Sequence, residues 1–375
     1  MVLLKSFLVF FKRQSFVSLK LIRVVFWIVV LFLALTGNRE LFSFSSVVVT
    51  DLRGKKVTIN SRSGRYVVLF PQTLPFFYII HAQNGLVGYP GFGVKKNPYF
   101  SQGLILKVDP YLRQRCIDVG YPGMPNIETI VSLKPDFVVN MYAMKKTNHM
   151  LEKMGIPVIG LTGFFGTLSD FLKNIEILGR ATFHYIDALK FINFYKEKII
   201  FVKSETCDLK KKLRVLYLSY QGPFGKRLTA GGKFNTLTHD IIEIAGGIDV
   251  AGDVSHKSLF GQISVEDVLR WNPDVIIVGC KNGKRKILSN KKIRFINAVR
   301  YKKIYEVPMD GDTNSSTWYS PEKSVLGLLW TAKILYPSRF NNFSLFREAE
   351  YYYKTFWGVD IKELNIRGDV PWKAN

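Results

Sequence analysis

Cysteine is scarce: Cys116, Cys207 and Cys280 stand far apart in a chain of 375 residues. An odd number at that spacing builds no disulfide framework and no C-x-x-C metal clip, so the fold must hold itself together by burial. Acidic residues are also few, 29 against 53 Lys and Arg, which leaves a formal net charge of +24. The five histidines, His81, His149, His184, His239 and His256, include no pair at H-x-x-x-H spacing, which disfavours capture of a bare metal ion. There is no G-x-S-x-G elbow and no H-E-x-x-H, so acyl hydrolysis and zinc proteolysis find no foothold. Gly88-Tyr-Pro-Gly91-Phe-Gly93 has the wrong spacing for a dinucleotide fingerprint, and Thr229-Ala-Gly-Gly232 lacks the Lys and Ser/Thr of a phosphate-binding loop. Nothing here reads as an enzyme.

What the chain does have is apolar residues, 47% of the total, enough to build real cores and to exclude disorder. Its length exceeds the usual single domain, so two lobes are expected. The basic residues are scattered and form no nucleic-acid module. The runs Lys210 to Lys212 and Lys281 to Lys286 read as solvated element boundaries. A diffuse positive field would favour anionic ligands and an anionic membrane surface.

At the N-terminus, Lys5, Lys12, Arg13, Lys20 and Arg23 precede the apolar run from Val24 to Leu35, and no acid precedes Glu40. That run is short for a spanning helix and suits a signal-peptide core. Residues 1–46 are therefore expected to be a signal peptide cleaved between Thr36 and Ser46, or an uncleaved anchor. No cysteine follows the run, which argues against a lipoprotein. Either way the rest of the chain is exported.

An internal echo is the most informative feature. Residues 126–139 read N-I-E-T-I-V-S-L-K-P-D-F-V-V and residues 264–277 read S-V-E-D-V-L-R-W-N-P-D-V-I-I, aligning without a gap. Each copy suits a short helix followed by a strand. Asn126 and Ser264 are good N-caps, and Glu128 and Glu266 complement the helix dipole. Pro135 and Pro273 end the helices, and the apolar runs after Asp136 and Asp274 suit buried parallel strands. The fold class is therefore α/β: two Rossmann-like lobes, 47–166 and 206–360, with parallel-type sheets. Val47 to Ile59 reads as a hairpin opening the first lobe. A capping box at Thr167 and helical spacing thereafter predict one long linking helix over 167–205, about 50 Å if continuous. A single crossing of that kind implies a stiff hinge, and residues 361–375 read as a tail.

These phrases resemble periplasmic binding proteins of the ferric-siderophore, haem and cobalamin type. Their first lobe carries N-x-E-x-I-x-x-L-K-P-D, here Asn126 to Asp136, and their second S-x-E-x-[LV]-x-x-x-x-P-D, here Ser264 to Asp274. Leu228 to Thr236 with Ile241 to Gly247 resembles the family's second-lobe opening. Ser320-Pro321-Glu322 with Leu326 to Lys333 and Tyr336-Pro337 is similar to its closing helix. The likeness runs from about residue 47 to about residue 340. It implies a periplasmic receptor that delivers a small molecule to the permease dimer of an ABC importer, with Glu128 and Glu266 docking onto permease arginines. It also implies a monomer that binds no nucleic acid and needs no cofactor of its own. The ligand is expected to be an iron–siderophore-type chelate, Fe(III) foremost, with a nickel or cobalt chelate, haem or cobalamin as alternatives. A membrane-anchored sensor without a transport role is the reading from another class.

In open α/β lobes, ligands bind at the C-terminal ends of the strands. That rule selects Gln72, Tyr89 and Tyr142 in the first lobe and Tyr220, His256, Phe260 and Trp318 in the second. The aromatics suit a flat or catecholate-rich ligand. His256 could complete the coordination sphere of a chelated metal, or be a solvated loop histidine. His184 and His239 read as structural.

Overall fold

The computed structural model describes residues 46–60, 64–90, 102–121, 123–163, 166–221, 227–232, 237–252, 261–280, 282–311 and 316–372. The expected signal segment, apart from residue 46, lies outside them. The first lobe opens with the hairpin of β1 (Val47–Thr50) and β2 (Lys56–Ile59), whose turn uses Gly54 at φ +77°. A five-stranded parallel sheet follows, in the order β5-β4-β3-β8-β9. Its members are β3 (Tyr66–Val68), β4 (Leu86–Tyr89), β5 (Ile117–Asp118), β8 (Phe137–Met141) and β9 (Val158–Leu161), while β6 (Gly120–Tyr121) and β7 (Met124–Pro125) form a separate hairpin. The helices that matter here are α1 (Leu74–Ile79), α2 (Ile127–Ser132), α3 (Lys145–Lys153) and α4 (Leu168–Ala181).

In the second lobe, β10 (Arg214–Gln221) pairs in parallel with β12 (Ile248–Asp249) and β14 (Val275–Val278), and β14 with β15 (Ile304–Glu306). The antiparallel strands β11 (Arg227–Ala230) and β13 (Gly261–Gln262) extend the other edge. Around this sheet pack α5 (Tyr185–Thr206), α6 (Leu237–Ile244), α7 (Val265–Trp271), α8 (Gly283–Ser289), α9 (Ser324–Leu335) and α10 (Leu345–Tyr352). Strands β8 and β14 are buried on both faces, which is why they read as unbroken apolar runs.

The internal echo is realised twice with the same bonds. Asn126 Oδ1 accepts the Thr129 N–H at 3.0 Å, and Ser264 Oγ accepts that of Asp267 at 3.0 Å. Before each proline the chain enters the left-handed region, Lys134 at φ +48° and Asn272 at +39°, which ends the helix. The following aspartate then latches the chain at the start of β3 in the first lobe and of β10 in the second. Asp136 Oδ2 accepts the backbone N–H of Arg65 at 2.9 Å, and Asp274 Oδ2 that of Arg214 at 3.0 Å. Each arginine returns its guanidinium to a carbonyl at the helix end, Leu133 O and Trp271 O, both at 2.9 Å. Charge-assisted bonds of this kind fix helix, strand and register together.

Two expectations are corrected. Residues 167–205 are not one helix. The Thr167–Asp170 capping box starts α4, but Thr182 Oγ1 bonds Leu178 O at 2.8 Å and Phe183 turns left-handed at φ +61°. The chain reverses so closely that a Cβ on Gly179 would lie 2.3 Å from that of Ala188. Thus α4 packs on β1 in the first lobe, and α5, 22 residues long, is the linker. Its length is about 33 Å at the helical rise.

Residues 361–372 are no loose tail. Ile361, Ile366 and Val370 are buried, Trp330 Nε1 donates to Asp369 O at 2.7 Å, and Met309 bridges to Arg367. The C-terminal segment also reaches the first lobe. Tyr78 stacks on Trp357 at 6.1 Å, and Lys107 Nζ bonds Glu363 O at 2.8 Å. With the Leu168 N–H donating to Asp240 Oδ2 at 2.7 Å, the lobes are tied at several points besides α5.

Candidate functional site

The loops at the C-terminal ends of both sheets are built on buried polar networks. In the first lobe, the turn after β8 hangs on two amides without solvent access. Asn140 Nδ2 donates to Asn148 Oδ1 at 2.7 Å, and Asn148 Nδ2 to Met141 O at 2.9 Å. After β9, Asn174 Nδ2 holds Thr162 Oγ1 at 2.8 Å. Satisfied networks of this kind rigidify what they carry. The turn so fixed presents Tyr142, which is exposed. After β3, the turn Pro71–Thr73 is closed by Thr73 Oγ1 on Phe70 O at 2.7 Å. Its Gln72 is half-buried, and Oε1 finds no hydrogen-bond partner among the described residues, so the loop keeps polar capacity unspent.

In the second lobe, the loop after β15 is pinned by a buried charge cluster. Lys323 Nζ bonds Asp310 Oδ1 at 2.8 Å and Oδ2 at 3.1 Å, and Ser316 O at 3.3 Å. Glu322 Oε1 lies 3.6 Å away, and Tyr353 donates its hydroxyl to Asp310 Oδ2 at 2.9 Å. Burial opposes the Lys323 ammonium, but Asp310 and Glu322 outweigh it and raise its pKa. Burial likewise pushes the Glu322 carboxyl above its ordinary value. Both carboxylates beside this loop thus face the Lys323 ammonium. After β14, Gly279 admits no side chain, because a Cβ would meet Tyr217 Oη at 1.7 Å, and Tyr217 stacks on Tyr319 at 5.2 Å.

The sequence-predicted cleft residues divide. Gln72 lies in the turn Pro71–Thr73 that follows β3, and Tyr142 directly follows β8. Tyr89 ends β4 but belongs to the hydrophobic core, and burial pushes its hydroxyl up to about 12. Trp318 is corrected from cleft lining to support: it is 0% exposed, donates Nε1 to Tyr353 Oη at 3.0 Å and packs on Trp372. Tyr220 pairs with Leu228 through the β10 backbone, and its side chain lies outside the described residues, as do His256 and Phe260. Glu128 and Glu266 are exposed in the first turns of α2 and α7. Each is followed three residues on by an exposed apolar side chain, Val131 and Leu269.

Sequence reasoning missed the supports, Asn140, Asn148, Asn174, Asp310 and Lys323. A polar residue inside an apolar run, as Asn140 is, was the one available signal; a lysine after Ser-Pro-Glu carries none. His239, read as structural, bonds Asp249 Oδ2 through Nδ1 at 3.0 Å, and that hydrogen bond raises its pKa.

Comparison with known proteins places this geometry. Residues 91–310 match the family model described as periplasmic binding protein. The molybdate-binding protein MolA of Haemophilus influenzae is 28% identical over 86% of this chain and 95% of its own length. The solved structure of that protein bound to molybdate superposes with a TM-score of 0.71 at 24% identity, covering 86% of this chain and 100% of its own. A cobalamin-binding protein of Halobacterium salinarum is 25% identical over 62% of this chain and 58% of its own length.

Proposed function

The chain belongs to the periplasmic binding protein family, and from that premise we propose that its ligand is a compact anionic, metal-bearing molecule of the molybdate-type oxyanion class. The chain itself is the extracytoplasmic substrate-binding component of an ABC importer, a solute-binding protein and not an enzyme. The observation that supports the anionic ligand is electrostatic. The chain carries a net charge of +24, and the carboxylates beside the second-lobe loop, Asp310 and Glu322, both lie against the Lys323 ammonium. The first-lobe loops present the Tyr142 phenol and the Gln72 amide in a positive field, which suits an oxyanion and repels a bare cation. The relative that matches nearly its full length here is named for molybdate, which supports the same class.

An iron–siderophore-type chelate, Fe(III) foremost, is the second reading, and the exposed Tyr142 after β8 favours it by its capacity to stack on a catecholate. In that case His256 would complete the metal's coordination. Docking through Glu128 and Glu266 belongs to the same proposal, and the recurrence of an exposed Glu and apolar residue on each lobe supports it. Delivery would proceed with modest closure, since Tyr78–Trp357 and Leu168–Asp240 tie the lobes beside α5.

Tryptophan fluorescence and calorimetric titration test the ligand. The panel is molybdate, tungstate, sulfate, ferric catecholate and citrate chelates, haem, cobalamin and nickel with histidine. Saturable sub-micromolar binding of molybdate over sulfate is the expected result. Binding of a ferric chelate alone would replace it with the second reading, and a folded protein that binds none would overturn both.

A further inference from the structure

The second lobe carries a surface for which ligand capture has no use. Between Asp274 and Glu306 the sequence holds ten Lys and Arg and no Asp or Glu. The fold turns the apolar side chains of this stretch inward, with Ile287, Ile293, Ile296 and Ala298 buried against β14 and β15 in one cluster. Most of the described cations face out, while Lys284 pairs with Asp369 at 3.1 Å. Arg285, Lys291, Lys292, Lys302 and Lys303 are exposed, and none of the five makes an ion pair among the described residues.

Three apolar side chains break that inward rule. Leu288, Phe295 and Tyr301 are 52%, 67% and 64% exposed. Both aromatics lie beside a cation, with the Arg294 guanidinium 4.5 Å from the Phe295 ring and that of Arg300 5.7 Å from Tyr301. Exposed aromatics of this size among uncompensated cations mark an interaction surface. Lys303 O accepts the Ile276 N–H at 3.0 Å, and the Ala298 N–H bonds Pro273 O at 2.9 Å. Residues 298–303 therefore sit at the N-terminal ends of β14 and β15, whereas Arg285 follows the C-terminal end of β14, where the ligand loops sit.

We propose that this face binds an anionic phospholipid bilayer. Lysines and arginines free of carboxylates meet lipid phosphates, while Phe295, Tyr301 and Leu288 enter the headgroup boundary, the combination that interfacial binding requires. An acidic protein would satisfy the charge but give the three apolar side chains no particular partner. Because residues 298–303 and the ligand loops occupy opposite ends of the sheet, a molecule resting on the bilayer through those residues keeps its ligand loops turned away from it.

The test uses the full chain with vesicles of phosphatidylcholine, alone or with one quarter phosphatidylglycerol, in a sedimentation assay. Partitioning onto the neutral vesicles measures the apolar contribution of residues 1–45, and wild type and variants are compared by the increment that the anionic lipid adds. Charge reversal at Lys291, Lys292, Lys302 and Lys303 should cut partitioning onto the anionic vesicles by at least roughly tenfold, since each cation near such a surface counts for about fivefold. The pair Phe295→Ala and Tyr301→Ala should weaken it less and leave the salt dependence intact. Circular dichroism confirms folding of both variants. Equal partitioning of wild type and both variants would overturn the proposal. Loss of binding to an acidic protein or heparin column, with vesicle binding unchanged, would assign the face to an acidic macromolecule instead.

Discussion

The ammonium of Lys323 lies 2.8 Å from Asp310 Oδ1, with the two side chains 2% and 0% exposed. This pair joins the start of α9 to the loop after β15, one of the loops from which the candidate site is built. Desolvating both ions is costly, so the pair contributes through geometry and shared partners more than through raw attraction. Removing one ion is another matter. Lys323→Met strands a buried carboxylate and should cost about 3–5 kcal/mol in a urea titration. The double variant with Asp310→Asn should recover part of that loss. An unchanged midpoint for the single variant would refute the anchoring role.

Gly327 lies within α9, where alanine ordinarily stabilises a helix by up to about 1 kcal/mol. Here the sign reverses, because an added Cβ would meet Trp318 O at 2.4 Å. Gly327→Ala should therefore destabilise by roughly 1–3 kcal/mol, the usual range for overpacking. Thermal melting decides it, and a rise in Tm would show that the Trp318 loop yields freely.

His239 gains Asp249 as a partner on folding, so its folded pKa stands above the ordinary histidine value of 6.5. A raised folded pKa stabilises fully below the unfolded value and loses that contribution as pH climbs through the folded one. Wild-type stability, measured against His239→Gln, should fall slightly as pH rises above 6.5. Parallel curves for the two proteins would remove the ion pair from the account.

Glu128→Ala and Glu266→Ala should leave both ligand affinity and melting temperature within experimental error, since both side chains are exposed. Uptake by cells carrying the intact importer should fall, and the double variant should lose at least roughly tenfold, as expected for interface charges that set orientation. Undiminished uptake would return both residues to complementing the helix dipoles.

Local chemistry was legible where each signal lies within a few residues. The N-caps at Asn126 and Ser264, the capping box at Thr167 and the hairpin at Gly54 all stand where the sequence puts them. The shared Pro-Asp steps gave the two lobes, because a helix stop followed by a buried strand is written in adjacent residues. The latch from Asp136 to Arg65 spans 71 residues and has no such local trace.

By itself, then, the sequence determined two α/β lobes, the order of their elements and the family. Tertiary structure alone decided that α4 and α5 part at Phe183, because helical spacing continues through a break that Gly179–Ala188 packing enforces. It also decided that Trp318 supports the candidate site from within, and that residues 361–372 close the second lobe. Periodicity reports which residues want burial. Which partner buries them is settled only when the whole chain competes for the same core.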